Sequence, residues 1–594
     1  MYPYGIIGNC QAAALIKDCG SIDWLCLPRP DSEPIFGKLL DEDGGSFSIE
    51  SVVQSKTRQS YIANTNVVQT NVEDERGNQF VVTDFFPRFI QYGRTYRPLM
   101  LFRNVTPITG VPQIIVRCNP VLGWSKEHPA VMRGNSHIRF TGYLDQLRLT
   151  TNLSLTRLID EQPVSLTDPL YFCLSWGVPL EDDLAEVAFS FLGKTIDYWR
   201  GWVKGCSIPP LFQNEVIRSA LALKLHCFEE TGAVLAAITT SLPEILGGMR
   251  NWDYRYCWLR DAYFTVSALY KLGQFSELEG IIQFLFEILS NTNKKLTALR
   301  PVYRIDGNAP VPERSIESWR GFGGSAPVRS GNQAADHVQN DVYGEMLLTL
   351  SPIYLDERFQ YLRNIRKDGM LATLARRCFE TIAEPDSGIW EFRGKQQIHA
   401  HSLLLSWAGL ERYHRIVKQG LLKEDLEQCR DRAGQAATAL SVMASGGIIH
   451  QSANSLDVDA ALLLLSKLRF PDDHVVRATT EAIFEKLRAP QKDGNQSPPA
   501  YFYRYKNTDD FGDPQHAFLA CSFWMVEAFV NQGRIHDAKE ILRQCVTSAN
   551  YLGLLSEHFD PNGKVQIGNF PQCYSHVGLI DAAFAVSPPW REVL

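Results

Sequence analysis

Several features that usually announce a function are missing from this 594-residue chain. Its thirteen cysteines are an odd number, scattered with no CxxC pair, and some, such as Cys173, Cys227 and Cys521, sit inside apolar runs. That pattern speaks against a disulfide framework or a zinc site and predicts buried free thiols. There is no HExxH, no P-loop and no GxSxG with a following histidine, so zinc-protease, nucleotide and α/β-hydrolase chemistry lack their residues. No uninterrupted apolar run reaches membrane-spanning length, since LDVDAALLLLSKL carries charges at both ends. The opening MYPYGIIGNC has no basic stretch ahead of a long apolar one, so a signal peptide is not expected and a cytoplasmic location is. A net charge of -7 is small for this length and points to neither nucleic acid nor an anionic membrane.

What remains is an ordinary globular composition, 45% hydrophobic and 21% charged, with enough chain to build a large core. Residues 1–185 predict an antiparallel β-sandwich. SFSIESVV, TNVVQTNVED, QFVVTDFF, LMLFRNV, QIIVRCNPV, HIRFTGYL, LRLTTNLSL and LYFCLSWGV are short, β-branched or aromatic, and separated by turn residues. The first forty residues show few strand features and are expected to be a loop lying against the next domain. DDLAEVAFSFLGKTIDYWRGWVKG predicts a linker helix over about 186–210, and residues 211–594 read as helical nearly throughout. Most of these helices are apolar around more than half their circumference, as packing on two sides requires. Ser276 with Glu279 fits a capping box, and Gly273 and Gly533 stand where helix ends need a left-handed residue. LYKLGQFSELEGII and FVNQGRIHDAKEIL form a faint repeat of helix hairpins. About eleven or twelve such helices close into an (α/α)6 barrel or extend into a solenoid, and the pattern alone does not choose. The fold class expected is therefore α+β multidomain, with the sandwich preceding a helical unit.

The unusual chemistry is concentrated in a few stretches. NWDYRYCWLRDAYF, Asn251 to Phe264, runs four aromatics into the pair Arg260–Asp261. Aromatic faces suit the C–H face of a sugar, and a carboxylate beside a guanidinium can grip adjacent hydroxyls. The same residues also read as a core edge with one structural Arg–Asp ion pair. EPDSGIWEFRG places Glu391 after Trp390 in a glycine-containing loop. A carboxyl group against an indole in a partly dry pocket has its charged form disfavoured, which suits a general acid. LLSEHFDPNGK places Glu557 at the end of a helical region before a turn. Between Tyr303 and Glu345 lies a segment far longer than a usual loop. Asp341 and Glu345 read as a polar helix face, and His401 and His576 as satisfied core histidines.

Taken together, and in this order, TTSLPEILGGMRNWDYRYCWLRDA, PVRSGNQAADHVQNDVYGE, DSGIWEFRG and LLSEHFDPNGKVQIGNFPQCYSHVGLI resemble the glucoamylase-like family 15 of glycoside hydrolases. The opening IGNCQAAALIKDCGSIDWLCLPRPDS resembles the start of its bacterial two-domain members. The resemblance implies a β-sandwich, a linker helix and an (α/α)6 catalytic barrel. It also implies exo-acting, inverting hydrolysis of an α-glucosidic bond without metal or organic cofactor. Carried over by position, Glu391 is the general acid and Glu557 the general base. Arg260 and Asp261 hold hydroxyls of the terminal glucose, and Tyr254, Trp258 and Trp390 line its subsite. Inversion places the two carboxyls roughly 6.5–9.5 Å apart to admit water. The implied substrate is a short α-glucan or an α-glucosyl disaccharide, with glucoamylase activity ranked first and trehalase second. A phosphorylase and a non-catalytic sugar-binding protein are more remote readings. The chain departs from the family pattern at His401-Ser402-Leu403, at His558 and in DFGDPQHAF, which bears on specificity rather than on the carboxylates.

Overall fold

The computed structural model describes every residue except Ala298, Pro310 and residues 491–498. Two antiparallel sheets build the N-terminal part. One runs Tyr4–Gly8, Ala13–Lys17, Ile22–Cys26, Ser46–Ser51, Gln113–Asn119, Val164–Ser165, with Pro34–Phe36 added at Ile22–Cys26. The other runs Ala130–Arg133, His137–Thr141, Leu147–Thr151, Leu170–Trp176, Met100–Thr109, Gln79–Phe85, Val68–Asp74, Ser55–Tyr61. Phe36, Phe47, Val82, Leu101, Phe172 and Leu174 interdigitate between them.

The first forty residues correct the expectation of a loop, since they form four strands. They escape strand recognition because both of their faces are buried, which erases the polar–apolar alternation. Ile7, Ala14, Ile16 and Leu25 enter the sandwich core, while Tyr4, Ile6, Leu15 and Trp24 face the helical domain. Helix α1, Leu184–Lys204, follows the sandwich; the Asp183 side chain accepts the Glu186 N–H at 2.9 Å and caps it. Its Ala188 and Phe191 pack on the outer side of the second sheet against Phe85, Met100 and Phe102.

Of the helices that follow among the described residues, twelve alternate between an outer and an inner layer, the short Pro352–Leu355 standing apart. The outer helices are α2 (Gln213–His226), α4 (Phe275–Asn291), α6 (Ile365–Glu380), α8 (Leu426–Val442), α10 (Asp473–Lys486) and α12 (Ile535–Cys545). The inner ones are α3 (Leu259–Leu272), α5 (Asp341–Leu350), α7 (Ala400–Lys418), α9 (Leu464–Leu468), α11 (Leu519–Asn531) and α13 (Cys573–Val586). Neighbouring inner helices touch in sequence, α7 and α9 through the helical turn Ala460–Leu463 that leads into α9, and α13 returns to pack on α3. The ring is closed, which removes the solenoid and leaves the (α/α)6 barrel. Inner α11 is buried on nearly all sides and outer α12 on one, as two-layer packing requires.

Local details differ in places from the sequence reading. Gly273 takes the left-handed cap of α3 at φ 73°. No capping box forms on α4, where Gln274 is the capping residue and Ser276 already lies inside the helix. All thirteen cysteines are free, and only Cys19 is exposed.

Candidate active site

Residues just before or within the first turn of the inner helices converge at one end of the barrel. Ahead of α3 the chain from Trp252 to Trp258 is nearly extended, so alternate side chains part company. Trp252 and Tyr254 wall the cleft together with Trp258. Asp253 and Arg255 turn the opposite way into a fully buried two-point ion pair, with Nε–Oδ1 at 2.9 Å and Nη2–Oδ2 at 2.7 Å. The remaining Arg255 nitrogen, Nη1, donates to the Ser32 carbonyl at 2.5 Å, and the Trp24 indole donates to the Ile238 carbonyl at 2.8 Å. The N-terminal sheet thereby braces the strand that carries the cleft aromatics.

Glu391 lies in the loop ahead of α7 with φ 64°, a left-handed conformation that a glutamate adopts at a cost. Gly388, three residues earlier, also has φ 64°, and a Cβ there would fall 2.8 Å from the His399 ring. The turn is held by Glu391 N–H to the Gly388 carbonyl at 3.1 Å and Phe392 N–H to the Ser387 carbonyl at 3.0 Å. Three donors converge on Glu391 Oε1: Trp258 Nε1 at 2.7 Å, Arg260 Nη2 at 3.3 Å and Gln339 Nε2 at 3.3 Å. The indole bonded to Glu391 is therefore that of Trp258. Trp390, adjacent in sequence, sends its own N–H to Asp459 at 2.9 Å and lines the cleft with its ring.

Glu557 precedes the strand His558–Asp560 and does not end a helix, which corrects the sequence reading. Its Oε1 accepts the Tyr254 hydroxyl at 2.8 Å, while its buried Oε2 has no hydrogen-bond donor. Burial, with the charge of Glu557, holds the Tyr254 phenol well above its ordinary range, so it remains a donor. Gly568, at φ 79°, lets the backbone approach; a Cβ there would fall 2.7 Å from Glu557 Oε2. The rings of Tyr254 and Trp258 meet edge to face at 5.3 Å and so couple the two glutamates through their donors.

Both glutamates line one inner cleft of about 490 Å³ with Arg260, Asp261, Trp390, Arg504 and Tyr574. All seven residues singled out from the sequence come together here. The alternative reading of a structural Arg260–Asp261 ion pair does not hold, since Arg260 pairs with Glu391. Burial raises the Asp261 carboxyl to about 6, with Glu391 and Glu557 adding to the rise and Arg260 opposing it. An outer space of about 500 Å³ shares Tyr254, Trp390, Glu391 and Arg504 with the inner one. Its rim is laced: Asp510 accepts the Arg393 and Gly394 N–H groups at 2.6 and 3.0 Å, and the Arg393 guanidinium sits 4.6 Å from the Trp252 ring.

Sequence reading missed Glu244, Gln339, Arg504 and Tyr574. Glu244 is held by Arg504 at 2.9 Å and accepts the Trp252 indole at 2.8 Å. Against the cost of its burial, Arg504, His558 and Arg250 hold its carboxyl down at about 2. Glu244, Gln339 and Tyr574 lie inside the stretches that carry the family resemblance without standing out there, Arg504 lies outside them, and tertiary convergence identifies all four. Behind the cleft, Asp341 and Glu345 are not a solvated helix face, because both are buried. Burial, then the neighbouring Asp341, holds the Glu345 carboxyl well above its ordinary range. His576 is a satisfied core histidine, bonded to Ser219 Oγ at 2.9 Å and to the Leu555 N–H at 3.2 Å; His401 is not.

Comparison with known proteins places this geometry. The chain is 31% identical to a trehalase of Mycolicibacterium smegmatis, covering 98% of this chain and 90% of that one. It is 30% identical to trehalase 1 of Sulfolobus acidocaldarius, with 98% of both chains covered, and 29% identical to a trehalase of Thermoplasma volcanium. A bacterial glucoamylase complexed with acarbose shares the fold with a TM-score of 0.68 at 14% identity, over 98% of this chain and 94% of that one. Residues 3–153 match the profile described as trehalase-like, N-terminal. Residues 211–584, which hold both glutamates and the whole inner cleft, match that of glycosyl hydrolases family 15, and the chain belongs to that family.

Proposed function

We propose that this glycosidase hydrolyses α,α-trehalose with inversion, Glu391 acting as general acid and Glu557 as general base. The observation that carries the reading is a cleft of two compartments that meet at Glu391. Arg393 and Asp510, tied together at the rim of the outer compartment, narrow the way out, which favours a disaccharide over a long glucan. Full-length likeness to proteins named trehalase supports the same substrate and reverses the order in which the sequence ranked glucoamylase and trehalase activity.

The inner compartment takes the ring that is attacked. Arg260, Asp261 and Arg504 grip its hydroxyls, and Trp258, Trp390 and Tyr574 cover its apolar faces. Glu391 gives a proton to the bridging oxygen as the glycosidic bond breaks. Glu557, through the oxygen without a donor, removes a proton from water arriving on the opposite face of the sugar. Positive charge developing on the ring meets the Asp261 carboxylate. Tyr254 fixes the base and Trp258 the acid, so one aromatic pair sets the geometry of both.

Parallel assays on trehalose, maltose and isomaltose test the substrate, and trehalose is expected to turn over fastest by at least about tenfold, the factor that one or two well-placed hydroxyl contacts supply. NMR during the first turnovers tests the stereochemistry. Inversion yields β-glucose from the attacked ring and α-glucose from the other in equal amounts, whereas retention yields the α form alone. Glucose 1-phosphate formed only on addition of phosphate would replace hydrolysis with phosphorolysis.

A further inference from the structure

Helices α5 and α7 cross closely enough that their backbones touch. A Cβ at Gly344 would fall 2.1 Å from the Leu405 carbonyl oxygen, and one at Gly409 would fall 2.7 Å from the Gly344 Cα. Asp341 and Glu345 flank Gly344 one helical turn apart and therefore share a face. His401, in the first turn of α7, meets that face, with Nδ1 3.2 Å from Asp341 Oδ2. One ligand-type atom from each of the three lies within 4.8 Å of the others, a grouping found once among the described residues.

The cluster is buried and makes no hydrogen bond within the protein. Asp341, Glu345 and His401 are 0%, 1% and 3% exposed. Neither oxygen of either carboxylate and neither ring nitrogen has a hydrogen-bond partner. Nearby Asp386 shows what a polar group in this layer normally receives: Oδ2 accepts the Asn340 N–H and the Ser402 hydroxyl, both at 2.7 Å, and Oδ1 the Gly388 N–H at 3.1 Å. Two buried carboxylates without donors are costly unless paired with a cation. None of the three residues lines the inner or outer compartment, so a sugar hydroxyl does not supply the missing partner.

We propose that Asp341, Glu345 and His401 bind one divalent transition-metal cation of the Zn2+ or Mn2+ class, pinning α5 to α7 behind the Arg260 wall of the cleft. One imidazole with two carboxylates suits these ions, while Mg2+ and Ca2+ favour all-oxygen shells. Three protein ligands leave a further position for water. The cation neutralises carboxylate charge within electrostatic reach of Arg260, the guanidinium that touches Glu391.

A buried site fills during folding, so the test is the metal content of full-length protein produced in medium supplemented with Zn2+ or Mn2+ and freed of loose ions by gel filtration. The expected result is about one equivalent per chain and a fall in thermal midpoint after prolonged chelation, restored by adding the ion back. Glu345→Gln and Asp341→Asn are expected to abolish the bound metal, and the surface change Glu384→Gln to leave it in place. Co2+ substituted into wild type should give visible d–d absorption that both cluster variants lose. Wild type with no more metal than Glu345→Gln, or metal retained in both cluster variants, overturns the site. Should the variants fail to fold, a wild type with no bound metal and a midpoint indifferent to chelation overturns it equally.

Discussion

Glu391 and Glu557 are chemically identical and sit in opposite surroundings. Glu391 rides a strained loop, its side chain 20% exposed, with three donors crowding one oxygen. Glu557 is 3% exposed just before a strand, with one phenol donating to one oxygen and the His558 ring, Nδ1 at 3.4 Å, beside the other without a hydrogen bond. A group at the junction of two compartments can reach a bridging oxygen, and a shielded group at the back of one can reach only a small molecule trapped there. The difference in position supports the proposed roles, Glu391 as acid and Glu557 as base.

The sharpest way to break this comparison is to neutralise each glutamate. Glu391→Gln and Glu557→Gln are each expected to lower kcat by about 10²–10⁴-fold while leaving sugar binding measurable by calorimetry. An aryl α-glucoside with an acidic phenol needs little protonation, so it should restore turnover in Glu391→Gln and not in Glu557→Gln. Equal rescue of both would erase the distinction.

Asp261→Asn is expected to cost about 10²–10³-fold in kcat/KM, because it removes the charge facing the developing cation. The same change should stabilise the fold. A carboxyl raised from 3.8 to about 6 binds a proton more tightly in the native state, so wild-type stability falls as pH rises through that window. At pH 7 the asparagine variant should therefore gain on the order of 1–3 kcal/mol in denaturant titration, an advantage that vanishes below about pH 4. Wild-type kcat/KM is expected to decline as pH drops through about 6.

Tyr254→Phe removes the one hydrogen-bond donor on Glu557 and is expected to cost about 10–100-fold in kcat. The smallest effect is expected at the rim. Arg393→Ala should raise KM for trehalose about two- to fivefold with kcat nearly unchanged, since it loosens the outer compartment alone.

Much of this arrangement was legible in the residues. The aromatic run before Arg260, the Trp390–Glu391 dipeptide and Glu557 are local signals, and all seven residues named from them line one cleft. Strand periodicity located strands of both sheets, most clearly where one face stays polar, as in Val68–Asp74. It failed for residues 1–40, whose strands are covered on both sides. It failed also for Asp341 and Glu345: a spacing of four states that two side chains share a helix face, not whether that face meets water. Glu244 and Arg504, separated by much of the barrel, become partners only once the ring closes.

That closure has a temporal meaning. The contact of α13 with α3 joins the two ends of the helical sequence, and Glu557 lies just upstream of α13. During synthesis the strand bearing Tyr254 and the loop bearing Glu391 leave the ribosome well before the base that completes them. A nascent chain stalled before Glu557 lacks both the proposed base and the helix that closes the ring, and is expected to release no product.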